Sequence, residues 1–178
     1  MKKYLIFLAL GFISTVGHAQ NITWATPAKL QVYALTAAGE QLLMTSENLL
    51  VTYDQLKMAG ELDLGSFQTG HDLLRNLLDS AVSDKITLSA VIPEGKFIYR
   101  DMVEESFPVE TALRYGETIS QIILVYEISN RRTSLANTFD ITVTGSLSLK
   151  DDLGITRDTG LDDKISFMFF QNVQTRTY

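Results

Sequence analysis

Between residues 138 and 149 the sequence alternates without a break between two kinds of side chain. Phe139, Ile141, Val143, Gly145, Leu147 and Leu149 fall on one face, and Thr138, Asp140, Thr142, Thr144, Ser146 and Ser148 on the other. A period of two sustained over this length fits an extended strand with one face on a core and the other in water. Gly145, the inward position with no side chain, marks a bend, a bulge or room for something bulky.

The same period recurs through most of the chain. Residues 118–129 read as the neighbouring strand. Ile119, Ile123 and Val125 alternate there with Ile122, Leu124, Tyr126 and Ile128, so both faces are apolar and both call for cover. The polar stretch 130–137, with Arg131 and Arg132, reads as a solvated turn. Residues 164–173, with Ile165, Phe167 and Phe169 opposed to Met168 and Phe170, form a late aromatic strand. Earlier, residues 29–36, 41–46, 48–53 and 57–64 read as short strands separated by turn signals, with 85–92 and 96–101 following around Pro93-Glu94-Gly95.

One segment carries the other period. In residues 69–80 the leucines at 73, 74, 77 and 78 make one helical stripe, and Thr69 with Asp72 has the spacing of a capping box. The segment predicts a helix of about three turns, able to lid one end of a sheet. Residues 109–115 leave a second helix open. Eight to ten strands with one short mid-chain helix predict a mainly β fold, an antiparallel β-barrel or sandwich, and strands apolar on both faces favour the barrel.

Residues 1–19 are a separate matter. Lys2 and Lys3, the apolar run 4–13 and a small-residue exit ending in Gly17 and Ala19 have the three-part form of a secretory signal peptide cut before Gln20. The apolar run is too short for a membrane span, which needs about 20 residues. The expectation is a periplasmic or secreted protein with a single domain over residues 20–178 and no integral membrane segment after cleavage. Losing two lysines and no acid takes the net charge from −6 to −8. That balance argues against a nucleic-acid partner, which needs clustered basic side chains. The chain has no cysteine, and at this length it can bury a core without disulfides.

Chemistry-bearing patterns are sparse. His71 is the one histidine of the mature chain, so a Ser-His-Asp or Cys-His arrangement has at most a single base and no orienting pattern around it. One histidine also makes a zinc site a poor reading. Residues 151–163 hold five aspartates, at a spacing unlike an EF-hand, and read best as a solvated acidic loop. No phosphate-cradling glycine motif is present. These residues predict no enzyme, no cofactor and no metal.

Two stretches resemble a known family. The run Gly60-Glu61-Leu62-Asp63-Leu64-Gly65-Ser66-Phe67-Gln68-Thr69-Gly70, followed by the helical segment and then Lys85-Ile86-Thr87-Leu88, is similar to the strand, Ser-x-x-Thr-Gly turn, helix and strand of the YceI-like proteins. The strand Ile141-Thr142-Val143-Thr144-Gly145-Ser146-Leu147 is similar to that family's Thr-Gly-x-Leu signature. The resemblance implies a lipocalin-like β-barrel holding a long apolar ligand, isoprenoid- or lipid-like. With the alternation and the leucine stripe it nominates Phe67, Leu73, Leu77, Phe139, Val143, Phe167 and Phe169 as cavity-lining residues. The partner expected is an apolar small molecule or lipid, with a homodimer left open. The rival reading is a structural or adhesion module with a solid core that binds a protein or glycan on its surface. A carboxylate hydrolase is the third, and requires acids converging in a cleft.

Overall fold

The computed structural model describes residues 23–54, 56–94, 96, 105–132 and 136–176. Eight antiparallel strands close into one barrel in sequence order: β1 (Thr23–Leu35), β2 (Gln41–Asp54), β3 (Lys57–Asp63), β4 (Lys85–Val91), β5 (Glu105–Tyr115), β6 (Thr118–Arg132), β7 (Ala136–Ser148) and β8 (Lys164–Arg176), with β8 returning to β1. The fold is the mainly β, lipocalin-like barrel with one short helix that the alternation and the resemblance predict. Inward positions carry the apolar residues of each strand, which is why the pattern in β7 reads so cleanly: Phe139, Ile141, Val143 and Leu147 are all buried.

Several local expectations need correction. Residues 41–46 and 48–53 are not two strands but one. The inward parity of β2 changes from Leu42, Met44 and Ser46 to Leu49, Val51 and Tyr53, because Glu47 and Asn48 together oppose Lys29 in a β-bulge. The extra residue lets a continuous strand keep its apolar side chains inside. Residues 109–115 form no helix; they belong to β5, where Phe107, Val109, Thr111, Leu113 and Tyr115 all point inward at a period of two. Arg131 and Arg132 sit in the end of β6, paired with Thr138 and Asn137, not in a turn. Nor is β6 covered on both faces: Ile119 and Ile123 face outward at 59% and 53% exposure. Residues 97–101 of the expected strand 96–101 lie outside the described residues, and Lys96 is in a turn.

The helix α1 (Asp72–Asp79) is shorter than the three turns expected, and the capping box does not form. His71 is the N-cap residue and supplies no side-chain cap bond. The Thr69 hydroxyl instead accepts from His71 N and donates to the carbonyl of Leu43 on β2. Among the described residues no helix is long and apolar enough to cross a membrane.

The connections β1–β2, β3–β4, β5–β6 and β7–β8 all lie at one end of the barrel, as an up-and-down order requires. Two of them are long: residues 64–84, which carry α1, and residues 149–163. Together they cover that end.

Candidate functional site: a lidded apolar cavity

Two flaps build the lid. The first leaves β3 through a 3-10 turn (Leu64–Ser66) and is pinned to β2 before α1 begins. Thr45 and Gln68 exchange backbone bonds of 3.0 and 2.8 Å, and Ser46 Oγ meets Ser66 Oγ at 2.7 Å. After α1, the chain is held again where Val82 N donates to the Tyr115 hydroxyl at 2.8 Å. Of the leucine stripe, Leu74 and Leu77 are buried and Leu78 packs against the core, while Leu73 is 37% exposed at the edge.

The second flap is the acidic stretch 149–163, and it is not simply a solvated loop. Leu149 and Leu153 are buried in the barrel mouth, with Ile155 and Leu161 packed against the core. Its aspartates shape the turn. Asp152 Oδ2 accepts from Ser148 N at 2.8 Å. Asp163 accepts from the Ser148 hydroxyl at 2.6 Å and from Lys150 N at 2.9 Å. Those bonds, the Ser148 hydroxyl first, hold the Asp163 carboxyl below its ordinary range. Gly154 and Gly160 adopt φ of +68° and +69°, a backbone region other residues avoid. A Cβ on Gly160 would also meet Leu73 Cδ2 at 3.3 Å, so the two flaps touch there. The flap is tied to β1 as well, with Asp162 N donating to the carbonyl of Leu35 at 2.7 Å. Among the described residues no three His, Asp or Glu side chains group as metal ligands.

Beneath the flaps lies a cavity of about 90 Å³. Its walls come from every part of the lidded half: Val32 and Met44 from β1 and β2, Leu88 and Leu113 from β4 and β5, Phe67 and Leu77 from the first flap, Leu149 and Leu153 from the second, and Phe167 and Phe169 from β8. The lining is hydrocarbon almost throughout. Tyr115 brings a hydroxyl, and that hydroxyl is occupied by Val82 N. A water needs roughly 10–15 Å³ and two to four polar partners, and space without such partners stays dry. This space is large enough for water, but the Tyr115 hydroxyl is the one polar side-chain group in its lining, fewer partners than a water needs. It is also smaller than the ~300–1,000 Å³ of small-molecule sites, so in this closed form it accommodates a short apolar segment.

Of the nominated residues, the structure brings Phe67, Leu77, Phe167 and Phe169 to the cavity. Leu73 stands outside it, in a shallow groove between α1 and residues 157–160. Phe139 and Val143 face inward and are buried, but neither lines this cavity. Tyr53, Met58, Phe107, Tyr126 and Ile141 are likewise buried outside the cavity lining, with Phe107 and Tyr126 stacked at 5.6 Å. Tyr53 donates to Gln171 Oε1 at 3.0 Å. Burial pushes the hydroxyls of both Tyr53 and Tyr126 up from their ordinary range. Leu153 was missed because it stands among aspartates, and its one signal was an apolar residue two positions before Ile155 in a polar run. Gly145 answers its own question. A Cβ there would meet Phe167 Cζ at 2.6 Å and Leu124 Cδ2 at 2.7 Å, so the glycine makes room for the ring opposite it on β8.

No family model and no curated protein matches the sequence. Solved structures do match the fold. A polyisoprenoid-binding domain from Saccharophagus degradans, implicated in plant cell wall breakdown, superposes with a TM-score of 0.65 at 10% identity, covering 87% of this chain and 98% of that one. BcnA of Burkholderia cenocepacia superposes at 0.56 with 11% identity, over 82% and 96% of the two chains. The YCEI protein of Campylobacter jejuni superposes at 0.50 with 13% identity, over 100% and 99%. The barrel is therefore similar in fold to YceI-like proteins, the family whose sequence words it resembles.

Proposed function

We propose that this chain is an exported, YceI-like carrier that holds an apolar chain, isoprenoid- or lipid-like, in the lidded half of its barrel. The observation that carries the reading is the hydrocarbon cavity beneath two flaps. A folded chain has no reason of stability to keep dry space. An empty volume costs about 24 cal/mol per Å³, or roughly 2 kcal/mol for about 90 Å³. A guest recovers that loss at about 0.8 kcal/mol per buried methylene. Similarity in fold to a polyisoprenoid-binding domain supports a chain-like guest. Phe67, Leu77, Phe167 and Phe169 are its contacts in this reading, and since the closed cavity is short, the rest of a long chain is accommodated by movement of the flaps.

The walls present hydrocarbon to a guest and no acid, base or nucleophile, which supports binding without turnover. The rival with a solid core is disfavoured by the same space. Native mass spectrometry of protein purified from its own envelope fraction, and of delipidated protein reloaded with an isoprenoid alcohol, tests the proposal. An adduct of lipid mass in either is expected. Protein that takes up no apolar probe after delipidation, while staying folded, rejects it. The same spectra test export, since the processed chain should begin at Gln20.

A further inference from the structure

The two flaps are bonded to the barrel but not to each other. The first is held to β2 at Gln68 and to Tyr115 of β5 at Val82, and the second to β1 at Asp162. Among the described residues no hydrogen bond or ion pair joins α1 to residues 149–163. What meets there is apolar: a Cβ on Gly160 would stand 3.3 Å from Leu73 Cδ2. Parting the flaps along this seam therefore breaks no hydrogen bond, whereas lifting either flap from its strand does.

The seam also leads inward. A shallow groove runs along it, with Asn76 and Leu77 of α1 on one side and Arg157, Asp158 and Thr159 on the other. Leu77 lines both this groove and the cavity beneath, so the two spaces meet at one side chain. The groove differs from the cavity in chemistry. Arg157 forms no ion pair among the described residues. Asp158 gives one carboxylate oxygen to Gly160 N, and Thr159 Oγ1 accepts from Leu161 N. The guanidinium donates, the second Asp158 oxygen accepts, and the Asn76 amide does both, which matches a hydroxyl. An anion fits less well. Residues 64–84 and 149–163 carry eight aspartates against Arg75, Lys150 and Arg157, and like charges this close repel through water within the screening length.

We propose that the seam between α1 and residues 157–160 is the ligand's way in, and that the groove holds the ligand's polar end, a neutral hydroxyl-bearing group. The inference rests on the carrier reading and gives the guest a direction. The chain passes Leu77 into the cavity, and the head stays outside on Asn76, Arg157 and Asp158.

The test has two arms, both read on delipidated protein by displacement of a fluorescent apolar dye. The first compares 1-dodecanol, n-dodecane and dodecanoate in the wild type and in the double variant Asn76→Ala/Arg157→Ala, whose changes lie on exposed side chains outside the cavity lining. The double variant is expected to lose roughly twofold to tenfold in dodecanol affinity, the range for one net hydrogen bond, and to bind dodecane as before. In the wild type dodecanoate should bind more weakly than dodecanol and gain on it as salt rises. The second arm uses the absence of cysteine from the chain. Asn76→Cys/Thr159→Cys, bridged by a short reversible bis-thiol reagent, should lose rapid uptake of n-dodecane and regain it on reduction. Undiminished dodecanol affinity in the alanine variant, tighter binding of dodecanoate than of dodecanol, or rapid uptake by the bridged protein overturns this inference and leaves the carrier reading standing. Failure of the wild type to bind any of the three probes overturns both.

Discussion

Filling the cavity from within separates the carrier reading from the solid-core one. Ala81 follows α1, is half-buried, and lines the cavity. Ala81→Leu adds three carbons at a place where the backbone is a turn and not a barrel strand. If the space is as described, those carbons enter a dry hole. At about 0.8 kcal/mol each they contribute up to about 2.4 kcal/mol. The independent route through cavity volume gives roughly 2 kcal/mol for about 90 Å³, so the two agree. Imperfect fit reduces this, and a gain of about 1–2 kcal/mol in the ligand-free protein is expected. Urea titration is the assay. The midpoint should rise with the slope unchanged, because the slope follows the surface exposed on unfolding. Binding of an apolar probe should weaken in the same variant by about five- to thirtyfold, since about 1.4 kcal/mol is tenfold in affinity. The opposite sign refutes the reasoning. A variant destabilised by about 1–3 kcal/mol behaves as an overpacked core, and the space claimed for a guest is then absent.

Three further outcomes follow from the geometry. Gly145→Ala drives a Cβ to within 2.6 Å of Phe167 Cζ and 2.7 Å of Leu124 Cδ2, so it should cost about 1–3 kcal/mol in urea melts, and apolar-probe affinity should change with it because Phe167 is a cavity wall. Tyr115→Phe strands the Val82 N–H, which should cost about 1 kcal/mol and speed hydrogen exchange at Val82 and Ser83 more than in β6. Asp163 is held below its ordinary range by Ser148 and Lys150 N, so its contribution is fully present above the usual carboxylate pKa of about 3.9 and is lost as pH falls through the lowered folded value. Exchange in residues 149–155 should therefore quicken in acid, while Asp163→Asn should show faster exchange at neutral pH and a weaker acid response.

The strands were legible because barrel interiors impose a period of two, and β7 obeys it from Phe139 to Leu147 without exception. Errors arose where something other than local period decided the outcome. The bulge at Glu47 and Asn48 shifts parity within one strand, and to a reading of pattern alone a parity shift is indistinguishable from a break. The helix reading at residues 109–115 failed because Val109, Ala112 and Leu113 fit a helical stripe as well as a strand, and pairing with β6 along the whole of β5 settles it. Within the site, Phe67, Leu77, Phe167 and Phe169 could be found because they face inward. Phe139 and Val143 face inward just as well, and inwardness says nothing of depth along the barrel axis. Leu153 needed knowledge of how the flap folds back, which depends on the Asp152 and Asp163 carboxylates accepting bonds from the chain.

Depth along the axis separates the cavity from a zone of larger buried side chains, and side-chain size distinguishes the two better than polarity does. Tyr53, Phe107, Tyr126 and Phe139, from four strands, are large buried side chains outside the cavity lining, with Phe107 and Tyr126 stacked. An eight-stranded barrel is just wide enough for side chains of that reach to close it. In the lidded half the inward positions of β1 to β4 are Leu30, Val32, Met44, Leu49, Leu62 and Leu88, and these aliphatic chains stop short of the axis. The aromatic residues there are Phe67 from the flap, Tyr115 from β5, and Phe167 and Phe169 from β8, the strand whose Phe167 leans over Gly145. Shortening the larger side chains should therefore extend the cavity downward and not collapse the barrel. Phe139→Ala tests this: it should cost about 3–5 kcal/mol yet increase the longest alkane the protein accepts, as read by competition with a series of n-alkanes. Unchanged chain-length selectivity in a folded Phe139→Ala protein would mean that the zone of larger side chains is no floor to the cavity, and that the length of a guest is set by the flaps alone.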